Sequence, residues 1–246
     1  MPRLTDKDAI RAILLHDPTW CVYAIGDLSE RMFDKCAWFT PDLTMVLKDF
    51  GTCILFSMGT ASLCEALEQV SWPVHLQVQP DALAEVARHA VVTDIKHMQR
   101  MAWTGGPTAV DDRVTRLTAA DLPALKQMYA DGEPAGESPD FFYDSMVSDG
   151  VFFGVYEGNS LIAAAGTHLV SRDENVAAIG NVYTRRDRRR RGYSRLVTAA
   201  VLHELRDLST VGLNVRQDNL AAIRAYEALG FVTHCEFREA LATRRR

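Results

Sequence analysis

The sequence of 246 residues predicts an α/β protein with a mixed β-sheet, divided into two parts. Short apolar runs typical of strands are interleaved with segments in which apolar residues recur at helical spacing. Between two such patterns, the stretch 104–112 (TGGPTAVDD) combines glycines, a proline and two acidic residues, as linkers do. We therefore predict a smaller mixed α/β domain at residues 1–105 and a second α/β domain at residues 113–246.

The first predicted domain alternates helices and strands. Asp8 follows Thr5 at the spacing of a helix cap, and Ile10, Ile13 and Leu14 then recur at helical spacing. The remaining patterns predict strands at 44–47, 52–56, 74–78 and 91–103, and helices at 61–70 and 81–89. None of these segments contains a catalytic motif.

The second predicted domain has the element order β-α-α-β-β-β-α-β-α-β. Its strands are predicted at 113–117, 151–156, 161–169, 176–184 and 211–215 and from residue 231 onward. Helices are predicted from Thr118 to Met128, from Ser138-Pro139-Asp140 onward, and at 193–208 and 219–229.

Composition excludes several classes of protein. Hydrophobic residues make up 48% of the chain and charged residues 24%, which argues against disorder and against a collagen-like chain. The net charge of -5 argues against a general nucleic-acid binder. The apolar run 161–170 is half of the ~20 residues that a membrane-spanning helix needs, and residues 1–10 lack a signal segment. We therefore expect a cytoplasmic protein without membrane contact.

The cysteines support the same location. They are five in number, widely spaced and without a C-x-x-C pair, which is typical of free thiols in a reducing compartment. A zinc site needs clustered ligands, and the sequence shows none at short spacing, so no metal site is predicted. The cysteines concerned are Cys21, Cys36, Cys53, Cys64 and Cys235.

Segment 181–196 carries the chemical information. A predicted strand ends near Thr184, a turn rich in arginine passes through the small residues Gly192 and Ser194, and an amphipathic helix begins. The first N–H groups of a helix lack intrahelical partners and bind phosphate oxygens. Gly192 has no Cβ to keep a diphosphate away from these groups, and arginines add charged donors. Neither a nucleotide P-loop nor a dinucleotide fingerprint is present.

Two motifs resemble the GNAT superfamily of N-acetyltransferases. Arg189-x-x-Gly192-x-Ser194 is similar to the family's acyl-CoA pyrophosphate loop, R/Q-x-x-G-x-G/A, with serine in place of the last small residue. Segment 219–226 is similar to the family's N-x-x-A-x-x-x-Y, and the terminal G-F follows at 230–231. The resemblance covers residues 113–246. The first half matches no motif and is interpreted, by analogy, as a degenerate GNAT-like copy.

The resemblance implies how acetyl-CoA would be held. Backbone groups of Val182, Tyr183 and Thr184 would pair with the pantetheine arm as an added strand does. Amides and side chains of the loop would bind the diphosphate. The loop residues concerned are Arg189, Arg190, Arg191, Gly192, Tyr193 and Ser194.

Two further roles follow from the second motif. Asn219 would bond the pantetheine arm, and Tyr226 would protonate the departing CoA thiolate. These residues are seven positions apart, two helical turns, so they share a helix face. Each also has a plain structural interpretation, since a helical tyrosine often serves packing and an asparagine before a helix often serves as its N-cap.

The predicted function is transfer of an acetyl group from acetyl-CoA to a primary amine on a small molecule or peptide, by direct attack and without a metal. A homodimer is compatible with this prediction. One alternative is a non-catalytic acyl-CoA-binding module. The other is an RNA-associated protein that uses the arginine run 185–191, although the acidic composition disfavours a nucleic-acid partner.

The general base is left open. Amine acetylation needs a neutral amine, so a side chain or a water chain must accept a proton. Asp173, Glu174, His168 and Glu157 are candidates, and none is favoured. Cys235 is not expected to carry an acyl group, because no neighbour in the sequence would activate its thiol.

Overall fold

The computed structural model describes residues 3–49, 51–139 and 141–245, and shows the same succession of elements twice. The first succession ends with a long strand at Trp103. Its elements are β1 (Arg3–Leu4), α1 (Lys7–Leu14), α2 (Val22–Gly26), α3 (Glu30–Phe33), β2 (Cys36–Phe39), β3 (Thr44–Asp49), β4 (Thr52–Ser57), α4 (Leu63–Gln69), β5 (Val74–Val78), α5 (Pro80–His89) and β6 (Ala90–Trp103).

The second succession begins at Val114 and repeats the order, with two main helices in place of the first three. Its elements are β7 (Val114–Arg116), α6 (Leu122–Ala130), α7 (Asp144–Asp149), β8 (Phe153–Glu157), β9 (Ser160–Ser171), β10 (Val176–Thr184), α8 (Tyr193–Leu205), β11 (Thr210–Arg216), α9 (Leu220–Glu227) and β12 (Phe231–Arg244). Short 3₁₀ turns precede α6, α7 and α8.

Strand pairing repeats as well. Strands β1 to β4 are consecutive antiparallel neighbours, and β4 then pairs with β5 in parallel. Strands β7 to β10 are also consecutive antiparallel neighbours, and β10 pairs with β11 in parallel. The parallel step is bridged by a helix each time, α4 or α8, as a parallel connection requires. The two halves of the chain therefore share one topology, which agrees with the interpretation of the first half as a GNAT-like copy.

The chain forms two compact units, and each unit is built from more than one stretch of the sequence. The first contains residues 1–100, 215–219 and 233–246, and the second contains residues 101–214 and 220–232. In the first unit the strand order is β1-β2-β3-β4-β5-β12-β6, and in the second it is β11-β10-β9-β8-β7. Because β12 pairs with β5, the end of the chain lies in the first unit. These units and the sequence domains predicted at 1–105 and 113–246 thus divide the chain differently.

Each unit has its own apolar core. In the first, helices α4 and α5 cover β4 and β5; the core includes Leu55, Leu63, Leu67, Leu76 and Val86. In the second, α6 and α7 pack on β8 and β9; the core includes Leu125, Tyr129, Val147, Phe152 and Leu161. Apolar residues at helical and strand periods form these cores, so the fold class predicted from the sequence is confirmed.

The sequence predictions were wrong at two helix starts. Helix α1 is capped by Asp6, not Thr5, because the Asp6 carboxylate accepts bonds from the N–H groups of Asp8 and Ala9. The helix predicted from Ser138 begins only at Asp144, and Ser138 and Pro139 are not helical. Asp140 lies outside the described residues.

The five cysteines are free, as their odd number and spacing predicted. Within the three described stretches of the chain, no helix has both the length and the apolar character needed to cross a membrane.

Asp27 is a partly buried carboxyl group at the end of α2. Burial, and then the nearby Asp49 carboxylate, raises the pKa of Asp27 from 3.8 to about 7. Between these two values the folded protein holds a proton that the unfolded chain has released. The stabilisation is therefore complete below about pH 4 and is lost as the pH rises through about 7.

We expect the parent protein to lose up to about 4 kcal/mol of unfolding free energy between about pH 4 and about pH 8 from this group. Asp27→Asn stays neutral at every pH and should flatten this slope. The measurement is urea unfolding across the pH range, with exposed Asp34→Asn as the matched control. An Asp27→Asn variant that keeps the parent slope would contradict the assignment.

Candidate functional site

A β-bulge interrupts β10 near its C-terminal end. Gly180 lies opposite Gly166 and Tyr183 lies opposite Ala164, so an extra residue is accommodated between them. Asn181 takes the left-handed conformation there, with φ of 54°. Its carbonyl oxygen accepts a 2.9 Å hydrogen bond from the buried Tyr129 hydroxyl, which holds the bulge in place.

Beyond this point β10 parts from β11. Their parallel pairing runs from Val176 opposite Thr210 to Ile179 opposite Leu213 and stops there. Strand β10 continues to Thr184, so its last five residues extend past that pairing. Backbone groups along this edge are available to an extended ligand that joins the sheet as an extra strand. Predicted binding residues Val182, Tyr183 and Thr184 lie in this segment.

Two buried polar atoms in the parted segment lack a hydrogen-bond partner in the described part of the chain. They are Oδ1 of Asn181 and Oγ1 of Thr184. The Asn181 side chain is only 5% exposed. Buried polar atoms in folded proteins are normally hydrogen-bonded, so a ligand in this segment would supply the hydrogen bonds that these two oxygens lack. The residues present therefore fit a ligand with its own polar groups, such as the amide-rich arm of acetyl-CoA.

The turn after β10 leads into α8 through Gly192. Gly192 has φ of +80°, a conformation that other residues adopt only with strain. Among the residues that the structure describes, no side chain caps α8, and a Cβ at Gly192 would meet no atom within 4 Å. The first N–H groups of this 13-residue helix, at Tyr193 and the residues after it, therefore face open space. Phosphate oxygens can bind to an open helix start of this kind.

Two arginines of the turn hold the loop itself. Arg188 forms an ion pair with Glu157 at 2.8 Å, and Arg189 forms one with Glu137 at 2.7 Å. The Arg189 guanidinium also lies 5.6 Å from the ring centroid of Tyr183. The Arg189 side chain, which the sequence predicts as a diphosphate ligand, is therefore held by contacts within the protein.

Other arginines keep free charges. Arg190, Arg191 and Arg195 form no ion pair with any described residue. Arg190 has φ of 62°, so the backbone turns sharply just before Gly192. These three side chains are available to an anion at the start of α8.

Asp131 ties the start of the turn to α6. Its carboxylate accepts 2.9 Å hydrogen bonds from the Tyr183 hydroxyl and from the backbone N–H of Arg186. The bond from the Arg186 N–H is the main reason that the pKa of Asp131 lies below its usual range; burial opposes this shift, and the bond from Tyr183 adds to it. Sequence reasoning missed Asp131, because its partners lie more than fifty residues away.

Tyr226 lies on α9 with its side chain buried and its ring edge 5.9 Å from the ring of Phe231. Burial raises the pKa of Tyr226 to about 12, so the phenol is protonated at neutral pH. The hydroxyls of Tyr129, Tyr156 and Tyr183 donate to protein acceptors. The Tyr226 hydroxyl makes no such bond to a described residue, and it remains available to a ligand.

Asn219 belongs to the first compact unit. It lies one residue before α9, and its backbone N–H donates to the carbonyl of Arg216 at 3.0 Å. This turn starts α9, so the capping interpretation and the ligand interpretation of Asn219 both stay compatible with its position.

Three of the four candidate bases are poorly placed. Asp173 and Glu174 lie before β10, whose eight steps from Val176 to Thr184 span roughly 26 Å. Glu157 is held by Arg188 and by the Tyr193 hydroxyl.

His168 lies closer to the bulge. It is the extra residue of a second bulge, since Leu169 pairs with Ala178 and Thr167 with Ile179. Its ring covers Gly180 so closely that a Cβ there would collide with it. Burial lowers the pKa of His168 to about 4, which keeps the imidazole neutral but makes it a weak base.

Burial raises the pKa of the Cys235 thiol to about 11, so this thiol is not activated as a nucleophile.

The corresponding loop of the first half is closed by its own carboxylate. It joins β4 to α4, as the turn at Gly192 joins β10 to α8. The Asp42 carboxylate accepts hydrogen bonds from the N–H groups of Ala61 and Ser62 at 2.5 and 3.0 Å, and from the Ser62 hydroxyl. Two backbone amides just before α4 therefore already have a hydrogen-bond partner within the protein.

The first half also lacks the parted strand. Strand β4 pairs with β5 up to Phe56, and ends one residue later at Ser57. Its pairing with β3 runs from Thr52 to Ser57 without a bulge. No counterpart of the free edge at 180–184 exists there among the described residues. Within the described stretches of the chain, only the second half therefore offers both the open edge and the open helix start.

The second half of the chain is similar in sequence to a known protein family. Residues 116–231 match the family model of the acetyltransferase (GNAT) family. Comparison with curated proteins gives no significant match.

Solved structures share the fold over nearly the whole chain. A GNAT-family protein from Novosphingobium aromaticivorans is 18% identical, with a TM-score of 0.68, and the match covers 94% of this chain and 99% of that one. A GCN5-related N-acetyltransferase from Kribbella flavida is 13% identical, with a TM-score of 0.63 and coverages of 91% and 95%. A tandem GNAT protein from the clavulanic acid biosynthesis pathway is 14% identical, with a TM-score of 0.55 and coverages of 98% and 97%.

The matched range contains the parted strand, the Gly192 turn, α8 and Tyr226. The resemblance inferred from the two motifs is confirmed: residues 116–231 of this chain form a domain that matches the acetyltransferase (GNAT) family.

Proposed function

We propose that the chain is a cytosolic enzyme that transfers an acetyl group from acetyl-CoA to the primary amine of a small molecule or peptide. The amine nitrogen attacks the thioester carbonyl carbon, the C–S bond breaks, and the acetyl group leaves with the amine. The observation that carries this proposal is the coincidence, within one unit, of an open strand edge at 180–184 and an open helix start at Gly192.

The diphosphate would lie at the start of α8. Three kinds of group support this placement: the free N–H groups after Gly192, the positive end of the helix dipole, and the unpaired guanidinium groups of Arg190, Arg191 and Arg195. Arg188 and Arg189 serve by holding the turn through Glu157 and Glu137.

The pantetheine arm would lie along Val182, Tyr183 and Thr184. Its amides can exchange hydrogen bonds with the strand backbone, as an added strand does. The buried oxygens of Asn181 and Thr184 would then receive the donors that they lack. Asn219 is proposed as a further contact to the arm.

Tyr226 is proposed as the group that meets the leaving sulfur. Since its pKa is raised to about 12, the phenol is a weaker acid than a thiol, whose ordinary pKa is about 8.5. Its contribution is therefore a hydrogen bond that stabilises the developing thiolate, with proton transfer following as charge accumulates on sulfur. The amine must arrive neutral; the one proton that its nitrogen loses on forming the amide goes to solvent, since His168 is too weak a base, and Tyr226 regains from solvent the proton given to sulfur.

One chain should bind one molecule of acetyl-CoA, because Asp42 closes the corresponding loop of the first half. Titration calorimetry with purified chain measures this stoichiometry directly. A value near one supports the assignment of the site to the second half alone. Two molecules per chain would show that the Asp42 loop also binds, and no binding at millimolar ligand would remove the proposed function.

Gly192→Ala should weaken acetyl-CoA binding roughly tenfold, because a methyl group would stand over the amides and the left-handed backbone would be strained. Gly51→Ala is the matched control, since Gly51 also has positive φ and open space around it. Each variant should lose about 1 kcal/mol of stability. Equal affinities in the two variants would contradict the role of the Gly192 turn.

Tyr226→Phe should lower kcat about 100-fold while the affinity for acetyl-CoA stays near that of the parent. Tyr156→Phe, which also loses a phenol of the second unit, is the control and should keep its kcat. The measurement is release of free CoA thiol with a panel of amines. An unchanged kcat in Tyr226→Phe would exclude the proposed contact with sulfur. If the parent binds acetyl-CoA but turns over no amine, the chain is a binding module.

A further inference from the structure

Three side chains that could ligate a metal meet on the first unit, in its helices α4 and α5. They are Cys64 on α4, and Glu85 and His89 on α5. Nε2 of His89 lies 3.2 Å from Sγ of Cys64 and 3.1 Å from Oε1 of Glu85. The three atoms all lie within 4.8 Å of one another. The acyl-transfer mechanism uses none of these residues.

Both contacts fall on the same nitrogen of His89. A ring nitrogen carries either one hydrogen or one lone pair, directed along one line in the ring plane. It can therefore satisfy the thiol or the carboxylate, but not both at once. A nucleophile–histidine–carboxylate relay would use the two different ring nitrogens. Convergence of sulfur, nitrogen and oxygen on one point is instead the arrangement of ligands around a shared ion.

The separations fit a tetrahedral ion. Zinc bonds of about 2.3 Å to sulfur and about 2.0–2.2 Å to nitrogen and oxygen place neighbouring ligand atoms roughly 3.3 to 3.6 Å apart. The observed separations of 3.2 and 3.1 Å are shorter by a few tenths of an ångström. A small rotation of exposed side chains corrects this, since the His89 side chain is 43% exposed.

The helices hold two of the ligands in place. Glu85 and His89 are four residues apart on α5 and therefore lie on one side of it. Arg88 binds Oε2 of Glu85 at 2.9 Å, which leaves Oε1 directed at His89. The Arg245 guanidinium donates to the carbonyls of Ala87 and Arg88 at 3.0 Å and fixes the end of the helix. Such outer contacts orient the ligands of metal sites.

We propose that Cys64, Glu85 and His89 bind a divalent zinc-class ion, with water as the fourth ligand. A thiolate and an imidazole select this class, whereas Mg²⁺ and Ca²⁺ prefer oxygen ligands. The thiolate and the carboxylate together supply two negative charges that balance the ion. Three protein ligands at an exposed position leave the fourth position to solvent.

Binding exchanges a proton for the ion. The Cys64 thiol releases its proton to solvent as the metal–sulfur bond forms, while His89 binds through the Nε2 lone pair and Glu85 through Oε1. The ion then links the side chains of α4 to those of α5, and Cys64 forms no disulfide that would compete for its sulfur. Because it binds only the folded unit, it stabilises the fold by mass action.

The test uses untagged, metal-free full-length protein and Co²⁺ as a coloured probe. The parent should develop a thiolate-to-cobalt absorption band at one equivalent, lose it on addition of Zn²⁺, and show no response to Mg²⁺. Calorimetry in buffers of different protonation enthalpy should detect one proton released per ion. Zinc should also raise the melting temperature, by roughly 3 to 6 °C.

Cys64→Ser and His89→Ala should each weaken binding at least about tenfold and abolish the zinc-induced rise in melting temperature. Cys235→Ser is the matched control, because Cys235 is partly exposed but has no such ligand cluster around it. It should bind like the parent. Absence of the cobalt band in the parent, or an equal band in Cys64→Ser and the parent, would overturn the proposal.

Discussion

The parting of β10 from β11 is the constraint on which the proposed chemistry depends. Peptide groups inside a protein need hydrogen-bond partners, so a sheet does not open between neighbouring strands without compensation. Here Asn181, in the left-handed conformation, forms a bulge that turns the strand. The Tyr129 hydroxyl donates a hydrogen bond to the Asn181 carbonyl oxygen. Oxygens of Asn181 and Thr184 stay without partners, and a ligand with amide groups would satisfy them.

The turn after β10 shows how one charged sequence serves two purposes. Arg188 forms an ion pair with Glu157, and Arg189 forms one with Glu137. These two pairs hold the turn in its shape. Exposed ion pairs contribute little stability, so their value here is geometric. Arg190 and Arg191 form no ion pair with a residue that the structure describes. The arginine-rich turn thus contains two arginines that hold its shape and two whose charges are not paired. The difference arises because the glutamates that pair with Arg188 and Arg189 lie in other parts of the chain.

The two halves repeat one topology but differ where the chemistry would occur. At the end of β10 the chain leaves amides and a strand edge open. At the end of β4 the Asp42 carboxylate occupies the amides and the strand stops at once. A carboxylate accepts hydrogen bonds from the same kind of donor that a phosphate does, and in the first half Asp42 fills two of these donors from within the protein. The ligand cluster on α4 and α5 is then a separate property of this half.

The sequence by itself determined the element order, the fold class and the location of the loop motif. These depend on local periodicity, on glycine at a turn and on residue types at short spacing, all of which can be read within about twenty residues. It also placed Tyr226 and Asn219 at the second motif. It missed the true cap of α1, because Asp6 and Thr5 are both acceptable caps and only the path of the chain selects one.

The tertiary structure decided everything that depends on contacts between distant residues. Which arginines stay free follows from acids such as Glu137, 52 positions away from its partner Arg189. The closure of the first loop depends on Asp42, about twenty positions before it, and the Cys64–His89 contact spans 25 positions. No local spacing encodes these pairs, because folding brings them together only after the strands and helices have packed.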